Sequence, residues 1–200
     1  MRSKYIDKKT VAALRSAIGA EEWLPLRISL ETGLRIGDCV DLLSGQVHRK
    51  KGVPVISTTA AKTGKSGDFA ISESLYNILH KRAKRLNIKA AEFIFPSYGQ
   101  SGHLTRQAAW ARMKRAAAAL GIDPAGISPH SLRKCFAVSL MREHGLAAVK
   151  DALQHSNDAV TRVYAYADTV LRFDSDAPIL WRDVEILVDY ILDRLKEKRC

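Results

Sequence analysis

The chain is short of acid for the base it carries. Aspartate and glutamate total 21 against 32 lysines and arginines, which leaves a formal net charge of +11 and a pI near 9.7. An excess of that size favours a polyanion as partner, most often nucleic acid. A membrane surface fits less well, because neither a basic amphipathic helix nor a lipidation motif is evident. Cysteine is scarce too: Cys39, Cys135 and Cys200 are odd in number and widely spaced. No CxxC pair is present to hold zinc, and no disulfide framework suggests itself, so reduced thiols are expected. No apolar run approaches the length that spans a bilayer. The basic start, Met1-Arg2-Ser3-Lys4, is not followed by the apolar segment of a signal peptide. These absences point to the cytoplasm. Internal repeats, low-complexity stretches and linkers are also missing.

What is present is enough for a core. Two hundred residues, 46% of them hydrophobic, are the size of one large domain or two small ones. The pattern is mainly α with a small antiparallel β-sheet. Thr10 can cap a first helix over 11–18, stopped at Gly19, and a second helix over 21–31 is stopped at Gly33. A short third helix covers 36–43, closed by Ser44-Gly45. The β-branched run 53–59 reads as a strand, 62–67 as a turn and 69–71 as the start of a return strand. Ser72 caps a further helix with Leu75, Ile78 and Leu79 on one face. Phe93-Ile94-Phe95, ended by Pro96, is a candidate third strand. The alanine- and arginine-rich stretch 104–120 is a strong helix former.

Ser128-Pro129 is a good helix start, with a capping serine before a proline at the first helical position. His130 and Arg133, three apart, then share a face, and this helix is expected to end near Gly145. Short helices follow over 147–153 and 158–164. An amphipathic helix after Pro178 carries Leu180, Val184, Leu187, Ile191 and Leu195 at helical spacing.

The chemistry resides in a set of residues spread over the chain. Thr32-Gly33-Leu34-Arg35, the turn Lys62-Thr63-Gly64-Lys65, His130-Ser131-Leu132-Arg133, His155 and, nine residues on, Tyr164 occur in that order. Each is ordinary alone: an HxxR pair is commonplace on helices, and a KTGK turn is commonly a solvated hairpin tip. Together they supply what phosphodiester attack without a metal requires. Charge builds on the non-bridging oxygens in the transition state. Arginine suits that charge because its planar fork grips two oxygens and stays protonated. A nucleophile must come in line and an acid must protonate the leaving oxygen. A tyrosine phenolate leaves more readily than a serine alkoxide, so a bond formed by tyrosine is reversible without ATP.

The set resembles the tyrosine recombinase (phage integrase) family. Thr32 to Asp38 is similar to its first arginine motif, Lys62 to its hairpin lysine, His130–Arg133 to its histidine-x-x-arginine box, and Leu153-Gln154-His155-Ser156 to its leucine-glycine-histidine-serine box. The nucleophile falls on Tyr164. The likeness covers about residues 10–166. It implies that Arg35, Arg133 and His155 hold the scissile phosphate. Lys62 would protonate the departing 5′ oxygen, and His130 would act as acid/base near the tyrosine hydroxyl. Asp38, one helical turn after Arg35, could orient a neighbouring group. Neither cofactor nor metal is implied. The partner implied is double-stranded DNA, with self-association to a tetramer on it.

Two positions compete with these assignments. Tyr166 stands two residues from Tyr164, and the spacing from His155 favours Tyr164; Lys65 competes with Lys62. Gln154 stands where the family has glycine, and Lys134 where many members have histidine. Cys135 beside Arg133 reads as a small buried residue.

The expected organisation is a catalytic domain over 1–177. The helix over 178–200 would either be exchanged between protomers or packed on its own domain. The family's N-terminal DNA-clamping domain has no counterpart in the sequence, which suits either an excised fragment or a short member. The expected activity is cleavage and rejoining of DNA through a 3′-phosphotyrosine. The rivals are a type IB topoisomerase, an inactive DNA-binding relative, and a helix-turn-helix regulator reading DNA through Arg112 to Arg115.

Overall fold

The computed structural model describes residues 5–59, 61, 64 and 66–153. The chain divides into two compact units, Met1–Phe136 and Ala137–Cys200. The described part of the second is the remainder of the last helix, and the contacts below lie within the first. The elements are α1 (Lys8–Ile18), α2 (Ala20–Thr32), α3 (Ile36–Val40), β1 (Val47–Lys50), β2 (Val53–Thr59), β3 (Ser66–Ala70), α4 (Glu73–Arg85), α5 (Arg106–Ala119) and α6 (Pro129–Leu153). No helix among the described residues is long and apolar enough to cross a membrane. The expected mainly helical class with a small antiparallel sheet is what is observed. The 177/178 division, the helices over 158–164 and after Pro178, Tyr166 and Cys200 lie outside the described residues.

The central element is α2. Trp23, Leu24, Pro25, Leu26 and Ile28 are all buried, while Glu21 and Glu22 of its first turn stay exposed. Leu24 and Ile28 enter one cluster with Leu34, Val40, Ile56, Leu75, Leu79 and Ile94. Trp23 and Leu26 enter a second with Ile6, Leu14, Met113, Ile127, Leu132 and Cys135. The C-terminal end of α2 is thereby fixed between two cores, and the Gly33–Arg35 turn begins there.

The sheet is a meander in the order β1-β2-β3, antiparallel throughout, with Val47 opposite Ile56 and Val55 opposite Ala70. Its third strand is β1, which the sequence did not reveal, and not 93–95. Val47 is the one apolar residue of β1, and the connecting turn, Lys51-Gly52, lacks the usual Asn or Asp. Both its residues nevertheless have positive φ, 50° and 83°, as a type I′ hairpin turn requires. Phe93 makes only an isolated bridge to Leu43. β3 begins earlier than expected, at Ser66.

Other boundaries differ for local reasons. α1 starts one turn early because Asp7, not Thr10, is the cap: its carboxylate accepts the Thr10 amide at 2.7 Å. That bond holds the Asp7 carboxyl below its ordinary value, with the Thr10 side chain and backbone as first causes. Asp7→Ala should cost about 1 kcal/mol in chemical denaturation at neutral pH. Because the folded pKa is depressed, the cap's contribution is present above the unfolded carboxylate range. The difference between the two proteins should shrink as pH falls below about 4.

α3 is shorter than expected, ending at Val40. Ile78 is 37% exposed although Leu75 and Leu79 are fully buried. α6 runs through Gly145 to Leu153 without the expected break, since one helical glycine costs only about 1 kcal/mol. Ser128 does not cap it through its hydroxyl, which is buried with no hydrogen-bond partner among the described residues. Ser131 does the anchoring, accepting the Ser128 amide at 3.3 Å and donating to the Gly126 carbonyl at 3.2 Å.

Candidate active site

α2 ends at Gly33, which adopts the left-handed conformation (φ 68°) and returns its amide to the Ser29 carbonyl at 2.9 Å. Glycine takes that conformation without the Cβ clash other residues suffer. The chain then turns sharply. Arg35 is extended (φ −67°, ψ 147°) as the N-cap residue of α3, and its carbonyl accepts the Cys39 amide at 3.0 Å. Side chains hold the turn as well. The Thr32 hydroxyl donates to the Ile28 carbonyl at 2.7 Å and accepts the Leu34 amide at 3.2 Å. The Ser29 hydroxyl donates to the Leu34 carbonyl at 2.7 Å. Ser29 was not singled out from sequence, and Thr32 only as the first residue of the arginine motif; the signal at both is a small hydroxyl side chain near the end of the helix.

Arg133 reaches this turn from α6. Its guanidinium donates through Nη1 to the Gly33 carbonyl, across a separation of 100 residues. Leu132 and Cys135, on either side of it, sit in the second core cluster, so the helix carrying Arg133 is fixed by apolar packing. Arg133 itself is 8% exposed. Arg35 is half-buried, and its guanidinium makes no hydrogen bond or ion pair among the described residues. The two arginines thus converge on one turn. One is tethered to its backbone, and the other is not so engaged among the described residues.

Asp38 lies three residues after Arg35 and is 8% exposed. Its Oδ1 accepts the Ala61 amide at 3.1 Å, which ties α3 to the β2–β3 hairpin. The next residue in sequence, Lys62, lies outside the described residues, as do Lys65, Gln154, His155 and Tyr164. Asp38 Oδ2 is buried with no hydrogen-bond partner among the described residues. Deleting this carboxylate removes one hydrogen bond but also relieves a desolvated oxygen, so local order should change more than global stability. Asp38→Ala should speed hydrogen exchange at the Ala61 amide about tenfold, the equivalent of one net hydrogen bond. Unchanged exchange, followed by NMR, would argue against the tie.

Two cysteines flank the site. Complete burial pushes the Cys39 thiol well above its usual range. The Asp38 charge adds to that, and the Arg133 charge opposes it. Cys135 is buried, donates to the Ile6 carbonyl at 3.1 Å and is pushed up to about 11, mainly by desolvation. Neither has the depressed pKa of a reactive thiol, so Cys135 is the packing residue expected. His130 is exposed on the first turn of α6. Among the described residues no group of three or more His, Cys, Asp or Glu could hold a metal ion.

Residues 4–169 match the model of the phage integrase family. The chain belongs to this family. Among curated members it is similar to tyrosine recombinase XerD of Pseudomonas putida, at 32% identity over 157 residues. That match covers 76% of this chain and 52% of the relative. XerD of Bradyrhizobium diazoefficiens is 29% identical, with 70% and 46% covered. The chain therefore spans about half the length of the curated relatives it matches. Its fold is that of the integrase-family catalytic domain. It is similar to XerH site-specific recombinase in a post-cleavage complex with a difH substrate (TM-score 0.71, 18% identity, 90% of this chain and 54% of the other covered). It is also similar to a lambda integrase fragment bound as a dimer to a COC′ core site (TM-score 0.64, 17% identity, 82% and 59% covered). In this chain the first arginine motif and the HxxR box, far apart in sequence, meet at the carbonyl of Gly33.

Proposed function

We propose that this chain is the catalytic part of a site-specific DNA recombinase. Its substrate is double-stranded DNA, and it cuts and rejoins strands through a covalent phosphotyrosine. The observation that carries this reading is the mounting of Arg35 and Arg133 on a single turn. Two guanidinium groups carried by one turn suit a phosphate whose non-bridging oxygens gain charge during displacement. Family membership and the net charge of +11 support it.

In the proposed reaction the Tyr164 phenolic oxygen attacks phosphorus in line. The O–P bond to tyrosine forms while the bond from phosphorus to the 5′ oxygen breaks. The leaving oxygen takes a proton from Lys62, and the tyrosine proton passes to His130. Arg35, Arg133 and His155 hold the phosphate throughout. In the second step the 5′-hydroxyl of a partner strand attacks the phosphotyrosine, giving its proton to Lys62, and the phenolate leaves, regaining its proton from His130. The bond energy is conserved, so no nucleotide is consumed. Two rounds in a tetramer exchange two duplexes, with the segment 178–200 proposed to link protomers.

The reading is tested with a nicked duplex carrying the cognate site, from which the cut fragment diffuses away and traps the intermediate. A denaturing gel should show protein covalently joined to DNA, and peptide mapping should place the DNA on the segment containing Tyr164. No adduct on a cognate site established independently would count decisively against catalysis. Binding to the same duplex should fall steeply with salt.

A further inference from the structure

Ser29 is fully buried, 0% exposed, near the end of α2. A serine within a helix has a ready acceptor in the carbonyl four residues back. Thr32 follows that habit and bonds Ile28. Ser29 instead reaches forward past the helix end, donating to the Leu34 carbonyl at 2.7 Å. That carbonyl belongs to the peptide joining Leu34 to Arg35. The Cys39 thiol donates weakly to the same oxygen at 3.8 Å. The preceding peptide is held in the same manner: its carbonyl, at Gly33, accepts from Arg133, and its amide, at Leu34, donates to Thr32. Both peptide planes leading into Arg35 are therefore fixed by side chains. A small rotation at the Arg35 Cα is carried along the whole side chain to the guanidinium.

We propose that Ser29 is a positioning residue for the scissile phosphate. Through the Leu34 carbonyl it sets the direction of Arg35, and through the same turn it steadies the carbonyl on which Arg133 is mounted. The inference rests on the recombinase reading above. Ser29 touches no substrate; its effect passes entirely through the two arginines. Losing its hydroxyl leaves a buried carbonyl short of its strong donor and frees the peptide to rock.

The test compares Ser29→Ala with wild type in single-turnover adduct formation on two nicked duplexes. One carries an ordinary scissile phosphate and the other a methylphosphonate, which is neutral and has no anionic charge for the arginines to meet. On the phosphate substrate the variant should lose about ten- to a hundredfold, the cost of misplacing a group by a fraction of an ångström to an ångström. On the methylphosphonate the loss should be small, so the ratio of the two rates falls. A merely structural role would slow both substrates alike. Equal losses, or no loss, would overturn the proposal. Circular dichroism checks folding; should Ser29→Ala be unfolded, Ser29→Cys, which keeps a weak donor of similar size, takes its place. Its ratio should fall less but remain below wild type, and a wild-type ratio would overturn the proposal. A wild type that forms no adduct removes the recombinase reading, and this inference with it. A reactive wild type with an unchanged Ser29→Ala removes this inference alone.

Discussion

Tyr164→Phe should form no covalent adduct with a nicked cognate duplex, while binding that duplex as tightly as wild type does. The substitution deletes one atom, the phenolic oxygen, and under the proposed mechanism that atom alone becomes bonded to phosphorus. Phenylalanine keeps the ring and adds no charge, so the contacts of the basic surface with phosphates should be kept. Tyr166→Phe is the matched control. Positions two apart on a helix point about 200° from each other, so a helical segment presents one of these hydroxyls to a phosphate and turns the other away. Denaturing electrophoresis reads the adduct and a mobility shift reads binding. An adduct that survives in Tyr164→Phe and disappears in Tyr166→Phe would transfer the nucleophile to the second tyrosine. Survival in both would refute a tyrosine nucleophile in this segment.

Arg133→Ala should be damaged twice over, in rate and in stability, and the two effects separate. In the reaction, losing one preorganised donor to the developing charge lowers the rate about 10²–10³-fold. In the fold, the buried Gly33 carbonyl loses the guanidinium that now satisfies it, at about 1–3 kcal/mol. Arg133→Lys retains the charge but not the fork. A single ammonium on a flexible stem is poorly shaped to bond Gly33 and grip two phosphate oxygens together, so it should recover stability more than rate. Arg35→Ala provides the contrast. Its guanidinium makes no hydrogen bond or ion pair among the described residues, so it should lose a comparable factor in rate with a smaller change in urea midpoint. Equal destabilisation by the two alanine variants would show that Arg133 is not mounted on the turn as described.

Much of this was legible in the chain because it is local. Gly33 as the stop of α2 and Ser72 as the cap of α4 follow from backbone freedom and from side-chain reach over three residues. The features that were missed depend on partners far away or on atypical residues. β1 has a single apolar side chain and is a strand because β2 pairs with it. Ser29 gave no sign that its hydroxyl would leave the helix to hold the next turn. The cap at Thr10 was misplaced because Asp7 offers a better acceptor one turn earlier.

The sequence by itself determined which candidate donors, acid and nucleophile are present, and in what order, since these are properties of side chains and short spacings. It determined the family for the same reason. Tertiary structure decided where the two arginines go. The meeting of Arg133 with Gly33 spans 100 residues and depends on two apolar clusters closing around α2. The different standing of two like arginines, one tethered to the backbone and the other not so engaged among the described residues, likewise belongs to the tertiary structure. Neither is written in any motif, because hydrophobic packing is non-directional and assigns a partner only once the whole core has formed.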